Sequence, residues 1–314
     1  DVERSRGLGD VYKRQMRALT HDTFGDPEHV LTVTERPTPE PGPGQVRLKI
    51  VLSPIHNHDL WTIRGTYGFK PELPAASGTE ALGIVDALGE GVDSLAVGQR
   101  VATGGTFGAW AEYVVANAAG LIPVPESLSD ESAAQLVSMP FSTISLLEFL
   151  GAEKGDWIVQ NAANGAVGRM LAQLGAARGV NVIGLVRRSA GVDELREQDI
   201  ENVVSTDDDG WREQVAEITG GAHIAFGIDS VGGSSAGDVL SLLGEGGTLV
   251  AFGAMNSPTM EIASGDVIFK QATVKGFWGS KVIQTMDAAT RGALFGELIP
   301  VSYTHLRAHE TSLH

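Results

Sequence analysis

The spacing of apolar and polar positions divides the chain into two regions of different rhythm. From Met16 to about Pro125, short runs rich in Val, Leu and Thr (MRALTH, VLTVTER, QVRLKIVLSP, EALGIVDALGEGV, QRVATGG) are interrupted by proline and glycine. Such runs predict short strands with frequent turns and a compact, barrel-like β domain. RPTPEPGPGQ carries too much proline for a helix or a central strand and is read as a turn. After Ser129, a candidate N-cap, DESAAQLVSMPFSTISLLEFL places apolar residues at helical spacing, and one helix is predicted there. A strand (DWIVQN), a glycine turn (AANGAVG) and a helix (RMLAQLGAARG) follow. NVIGLV, AFGIDSV, GTLVAFG and ATVKGFW read as later strands, and SAGDVLSLLGEGG as a helix stopped by glycine. Strands alternating with helices predict an α/β doubly wound parallel sheet.

The expected organisation is therefore a β-rich domain over residues 16–128 and a nucleotide-binding domain over 129–270. Residues 271–299 would form the last strand and the start of a return to the first domain. The terminal strings over 1–15 and 300–314 lack the pattern between them and are similar to translated sequencing-adapter sequence; both are set apart as non-native tails.

Composition narrows the function. A chain of 314 residues with 42% hydrophobic content can bury two cores of ordinary size. A net charge of −16 gives no counterion-release gain on a polyanion, so nucleic acid is not an expected partner. No apolar run reaches about 18 residues, so no membrane-spanning helix is expected. Cysteine is absent, which removes disulfides and thiolate metal sites and fits a reducing, cytoplasmic setting.

The chemistry concentrates after the first predicted strand of the second region. Asn161–Gly168 reads NAANGAVG, between a strand and a helix, where a dinucleotide pyrophosphate would meet the N–H groups of the helix start. Only Gly165 and Gly168 of the full glycine pattern are present. A structural helix-packing turn is the alternative, and the strand–turn–helix context favours the phosphate. The next strand ends in Val186-Arg187-Arg188-Ser189. A ribose 2′-hydroxyl would call for Asp or Glu there; two guanidinium forks and a hydroxyl suit a 2′-phosphate, and so NADPH. The alternative is a solvated basic pair.

Gly78-Thr79-Glu80-Ala81-Leu82-Gly83-Ile84-Val85 resembles the G-H-E-x-x-G-x-V segment of zinc alcohol dehydrogenases, but Thr79 stands where their histidine ligand lies. His56 falls at the cysteine-ligand position ahead of Asp59, and Met139 at the third. An imidazole, a hydroxyl and a thioether do not make a Zn²⁺ site, so no metal is expected. His56 and His58, two apart on a strand, are read as a polar cluster with Glu80 nearby.

Arg64-Gly-Thr-Tyr67-Gly-Phe-Lys-Pro-Glu-Leu-Pro74 resembles the Q-G-x-Y-G-x-x-P-E-L-P stretch of mitochondrial-type trans-2-enoyl thioester reductases, zinc-free members of the medium-chain dehydrogenase/reductase superfamily. Val159–Gly168, Asp229–Gly233, Gly247–Met255 and Ile268–Trp278 are similar to further segments in order, and related quinone oxidoreductases share several of them. The resemblance implies a Rossmann domain beside a GroES-like catalytic domain, and hydride transfer from NADPH to the β-carbon of an α,β-unsaturated thioester, with a proton to the α-carbon. It implies Tyr67 as proton donor, a phenol being protonated at neutral pH. It places Asn164, Gly165, Ala166 and Val167 on the pyrophosphate and Arg187, Arg188 and Ser189 on the 2′-phosphate. Phe252, Gly253, Ala254 and Met255 would line the nicotinamide half, completed by Phe277, Trp278 and Gly279, with plain core as the alternative for the two aromatics. Reduction of a quinone or enone, and NADPH binding without turnover, remain alternative functions. An acyl thioester, on CoA or acyl carrier protein, is the implied partner. A homodimer through an edge strand over residues 272–277 is implied as well.

Overall fold

A computed structural model describes residues 14–304 of the chain, with side chains through Leu298. The expected tails fall largely outside the described residues, at 1–13 and 305–314. The chain divides into two compact units between Ser138 and Met139.

The N-terminal unit contains β1 (Gln15–His21), α1 (Pro27–Val30), β2 (Thr32–Pro37), β3 (Gln45–Leu52), α2 (Asn57–Arg64) and β4 (Ala75–Ala76). β5 (Glu80–Leu88), β6 (Arg100–Gly104), β7 (Tyr113–Asn117), β8 (Ile122–Pro123) and α3 (Asp130–Ala134) complete it. Its strands form a five-stranded antiparallel sheet in the order β7-β3-β5-β6-β8 and a three-stranded sheet β2-β1-β4. Alternation explains its core: Val46 and Leu48 of β3 point inward with Val85, Val101 and Val114 of the neighbouring strands, all buried.

The C-terminal unit begins with α4 (Ser138–Leu150) and continues through β9 (Trp157–Gln160), α5 (Ala166–Arg178), β10 (Asn181–Val186), α6 (Ser189–Arg196), β11 (Val203–Ser205) and α7 (Trp211–Thr219). β12 (Ile224–Asp229), α8 (Ser234–Leu242), β13 (Thr248–Ala251), α9 (Ser264–Phe269), β14 (Thr273–Gly276), α10 (Gly279–Thr285) and α11 (Ala288–Thr304) follow. The sheet is parallel throughout, ordered β11-β10-β9-β12-β13-β14. Consecutive residues of one strand enter different clusters. Ile158, Val182 and Val250 pack with α4, α5 and α11, whereas Val159, Ile183 and Leu249 pack with α7 and α8. Both faces are thus covered, which is why these strands read as unbroken apolar runs. Each fully buried Leu or Ile contributes about 1.5–3 kcal/mol.

Three expectations need correction. The single helix after Ser129 is two. Ser129 does cap the first, accepting from Ser132 N at 3.2 Å, but the chain leaves helical geometry at residues 135–137. The N–H groups of Val137 and Ser138 turn to Glu80 Oε1 at 2.7 and 2.8 Å, and Pro140 sits in the first turn of α4, where its missing N–H costs nothing. The N-terminal unit also extends past residue 128, because Ala133 and Ala134 of α3 are buried against Leu82 and Ala102. Finally, His56 and His58 are not on a strand: His56 caps α2 and His58 lies in its first turn. Asp59 reaches back to His56 N at 3.0 Å, one arm of a capping box.

Candidate functional site

The sheet of the C-terminal unit reverses its order between β9 and β12, the point where open α/β sheets hold ligands at their carboxyl ends. Asn161 and Asp229 end those strands and are joined there, Asn161 Nδ2 donating to Asp229 Oδ1 at 2.6 Å and Ser230 N donating back to Asn161 Oδ1 at 2.8 Å. The fully buried Asp229 also accepts from Val231 N and Gly232 N.

Between β9 and α5 the chain makes the glycine turn. Ala162 takes φ +50°, a left-handed conformation unusual for a residue with a Cβ. At Gly168 a Cβ would come within 2.6 Å of Ala163 O and 2.7 Å of Ala163 Cα, so only glycine lets α5 settle on the turn. Gln160 Nε2 pins it by donating to Gly168 O at 2.7 Å. Asn164, Gly165 and Ala166 are exposed and Val167 half-buried. No side chain caps α5, so its first N–H groups face outward as a ready anion site. Arg187, Arg188 and Ser189 follow β10 and are all exposed; neither guanidinium has an ion-pair or hydrogen-bond partner among the described residues. Uncapped N–H groups and two unpaired arginines on adjoining βα turns fit a dinucleotide with a 2′-phosphate.

Sequence reasoning missed Arg169. It is buried, its Nε donates to Asn164 O at 2.8 Å and its Nη2 pairs with Glu194 of α6, while Nη1 has no partner. Arg169 therefore ties the turn's own backbone to the next helix. Its only sequence signal is a lone charge in an otherwise apolar helix start, GAVGRML.

The remaining predicted residues lie along the carboxyl ends of β13 and β14. Phe252 and Gly253 donate their N–H groups to Asp229 O, and a Cβ on Gly253 would meet Ser230 O at 2.8 Å. Ala254 and Met255 are exposed. Phe277 is buried and stacked on Phe252, with ring centroids 5.7 Å apart, and meets Phe149 edge-on. It also borders an open pocket of about 450 Å³ shared with Trp278, Lys281 and Val282. Gly279 lets α10 lie against Ser142 of α4, which a Cβ would meet at 2.8 Å.

In the N-terminal unit, α2 stops at Gly65, which adopts φ +73°. The next N–H groups turn back, Tyr67 N donating to Trp61 O at 3.2 Å. This fold-back sets the half-buried Tyr67 ring 6.0 Å from that of His58. Beneath lies a polar network: His56 Nε2 meets Glu80 Oε2 at 2.5 Å, His58 Nε2 meets Thr79 Oγ1 at 2.7 Å, and Thr79 donates to Asp59 Oδ1 at 2.8 Å. Burial holds the His58 imidazole below the ordinary histidine value, with Asp59 and Glu80 opposing the shift and His56 adding to it. No group of three His, Cys, Asp or Glu residues is placed to hold a metal among the described residues.

With this geometry, comparison with known proteins defines the class. Residues 42–126 match the alcohol dehydrogenase GroES-like domain and residues 166–293 the zinc-binding dehydrogenase domain. The chain belongs to the medium-chain dehydrogenase/reductase superfamily, as a homologue of the mitochondrial enoyl-acyl-carrier-protein reductases. The Arabidopsis thaliana enzyme of that name is 31% identical over 279 residues, covering 87% of this chain and 74% of its own length. A Bacillus thuringiensis structure assigned as an NADPH:quinone reductase superposes with a TM-score of 0.87 at 25% identity, covering 95% of this chain and 91% of that one. A mycobacterial protein solved with NADPH superposes with a TM-score of 0.81 at 26% identity, covering 93% and 90%. No helix among the described residues is long and apolar enough to cross a membrane.

Proposed function

We propose that this NADPH-dependent oxidoreductase reduces the activated carbon–carbon double bond of a trans-2-enoyl thioester, carried on CoA or acyl carrier protein. The observation that carries the coenzyme half of this reading is the exposed, uncapped start of α5 beside Arg187 and Arg188, which are unpaired among the described residues. The name of the Arabidopsis relative supports the acceptor.

Bound NADPH supplies a hydride for the β-carbon. The N–H groups of Ala166 and Val167 at the start of α5 hold the pyrophosphate, with Asn164 and Gly165 leaving room for close approach. Arg187, Arg188 and Ser189 hold the 2′-phosphate through charge-assisted hydrogen bonds. Gly253, Ala254, Met255 and the aromatic pair Phe277 and Trp278 line the nicotinamide half, where the stacked Phe252 keeps the wall apolar and water out. Tyr67 holds a phenolic proton for the α-carbon, and the fold-back after Gly65 fixes its position. The protein acts as a homodimer, a reading supported by the edge of β14, unpaired among the described residues, and by Ile268 and Phe269 nearby, 58% and 83% exposed.

A second reading, NADPH:quinone reduction, is favoured by the Bacillus relative and by the exposed Phe69 and Phe107 rings, packed together with centroids 4.9 Å apart, an aromatic surface that suits a planar acceptor. An NADPH-oxidation assay separates the two. Turnover of crotonyl-CoA but not naphthoquinone is the expected result; the reverse supports the second reading. NADPH binding with no oxidation by any enone, quinone or enoyl thioester would overturn both.

A further inference from the structure

The proton that Tyr67 gives away must be replaced, and the network beneath it has the parts to do so. Thr79 has one hydroxyl proton, which it donates to the buried Asp59 Oδ1 at 2.8 Å. The contact between Thr79 Oγ1 and His58 Nε2 at 2.7 Å must then be an Nε2–H donating to the hydroxyl oxygen. Neutral His58 is thereby fixed in one tautomer, with its Nδ1 lone pair uncommitted among the described residues. Asp59 is fixed in turn, since its Oδ2 accepts from His56 N at 3.0 Å. A carboxylate that orients a hydroxyl, which orients an imidazole beside a phenol, is an acid–base chain rather than a packing detail.

We propose that Asp59, Thr79 and His58 form a relay that returns a proton to Tyr67 after each turnover, with His58 Nδ1 as the exchanging atom. In each cycle the Tyr67 hydroxyl gives its proton to the acceptor's α-carbon and is left as phenolate. His58, neutral between turnovers, takes a proton on Nδ1 from water, which its 22%-exposed side chain reaches, passes it to that phenolate and is neutral again. One proton enters from solvent per turnover, and only O–H and N–H bonds change besides the new C–H bond. While His58 is charged, Asp59 Oδ1 at 3.6 Å from Nε2 compensates it.

The titratable groups around His58 fit this use. His56 and Asp59 lie on its own helix, Glu80 on β5 and Tyr67 in the following loop. His56 is stacked on His58, with ring centroids 5.0 Å apart, but its Nε2 is engaged by Glu80. The same carboxylate takes Val137 N and Ser138 N on its other oxygen. The two histidines therefore differ: the His56 side chain is 9% exposed and its Nε2 is held by Glu80, whereas the His58 side chain is 22% exposed and borders Tyr67. His58 acts through Tyr67 and is a positioning and relay residue. The inference rests on the proton-donor role given to Tyr67 above.

Two measurements test it. The ¹⁵N spectrum of the histidine-labelled protein, with the His58 signal identified by its loss in His58→Gln, should show neutral His58 protonated on Nε2. Thr79→Val should release that tautomer. A neutral His58 protonated on Nδ1 would overturn the relay, whether or not the enzyme turns over crotonyl-CoA, so failure of the reductase reading is distinguishable from failure of this one. In the assay, His58→Gln keeps a donor for Thr79 but cannot carry a proton. Its turnover of crotonyl-CoA should fall at least about 10-fold, with KM and NADPH affinity within about twofold, and added imidazole should restore it in proportion to concentration. Undiminished turnover, or a loss that imidazole does not relieve, would overturn the proposal.

Discussion

The glycine turn of the C-terminal unit and the polar network of the N-terminal unit are built in opposite ways. The turn is exposed and under-satisfied: α5 has no capping side chain, and Arg187 and Arg188 have no partners among the described residues. The network is buried and closely satisfied: Glu80 and Asp59, 1% and 2% exposed, each accept at least two hydrogen bonds. Unsatisfied donors at a surface await an anion from outside. Satisfied groups in a low-dielectric interior hold their geometry without one. On the proposals made above, the fold carries a binding device on one unit and a proton-handling device on the other.

Substitutions that separate the two devices sharpen this contrast. The largest effect belongs to Tyr67→Phe: turnover should fall by about 10²–10⁴-fold while NADPH affinity stays within twofold. Steady-state kinetics beside a binding titration checks this, and unchanged turnover would remove Tyr67 from the chemistry. Glu80→Ala strips the acceptor from Val137 N, Ser138 N and His56. With about 1–3 kcal/mol for each stranded group, the His56 one buried and the two N–H groups part-buried, denaturant unfolding should show a loss of about 3 kcal/mol with NADPH affinity retained. A matching loss of affinity would break the separation. Gly168→Val drives a Cβ into Ala163, and at about 1–3 kcal/mol of strain calorimetry should find NADPH weakened on the order of 10–100-fold.

The smallest effect is on pH dependence. Burial lowers both His21 and His58 from the ordinary value of 6.5, so the unfolded chain binds more protons as pH falls below that value, and stability rises with pH there. Their contribution is complete above 6.5 and is lost as pH falls through the lowered folded values. Thermal unfolding between pH 7 and 5 should show that loss, and His21→Gln should make it shallower. An unchanged slope would assign it to other groups.

What could be read from the sequence follows the range of the interactions involved. The β9–turn–α5 run was legible because its strand, glycines and helix are contiguous, and each local signal agrees. α2 was not legible: His56-Asn57-His58-Asp59 offers no apolar periodicity, and the helix is set by the Asp59 capping bond and by the stop at Gly65. The break before α4 depends on Glu80, more than fifty residues earlier. Arg169 owes its role to Glu194 on another helix. Phe277 packs into the core through Phe149 and Phe252, distant in sequence, so a motif could name it but not show its burial.

The central claim is that the glycine turn and its two arginines take a 2′-phosphorylated dinucleotide. Titrating NADPH and NADH against the protein and against Arg187→Ala/Arg188→Ala tests it most directly. Charge-assisted bonds worth about 1.5–3 kcal/mol each predict that NADPH binds at least about 10-fold more tightly than NADH. The double variant should lose that preference while keeping its NADH affinity. Equal binding of the two coenzymes by the unaltered protein, or a preference that survives the loss of both arginines, would contradict it.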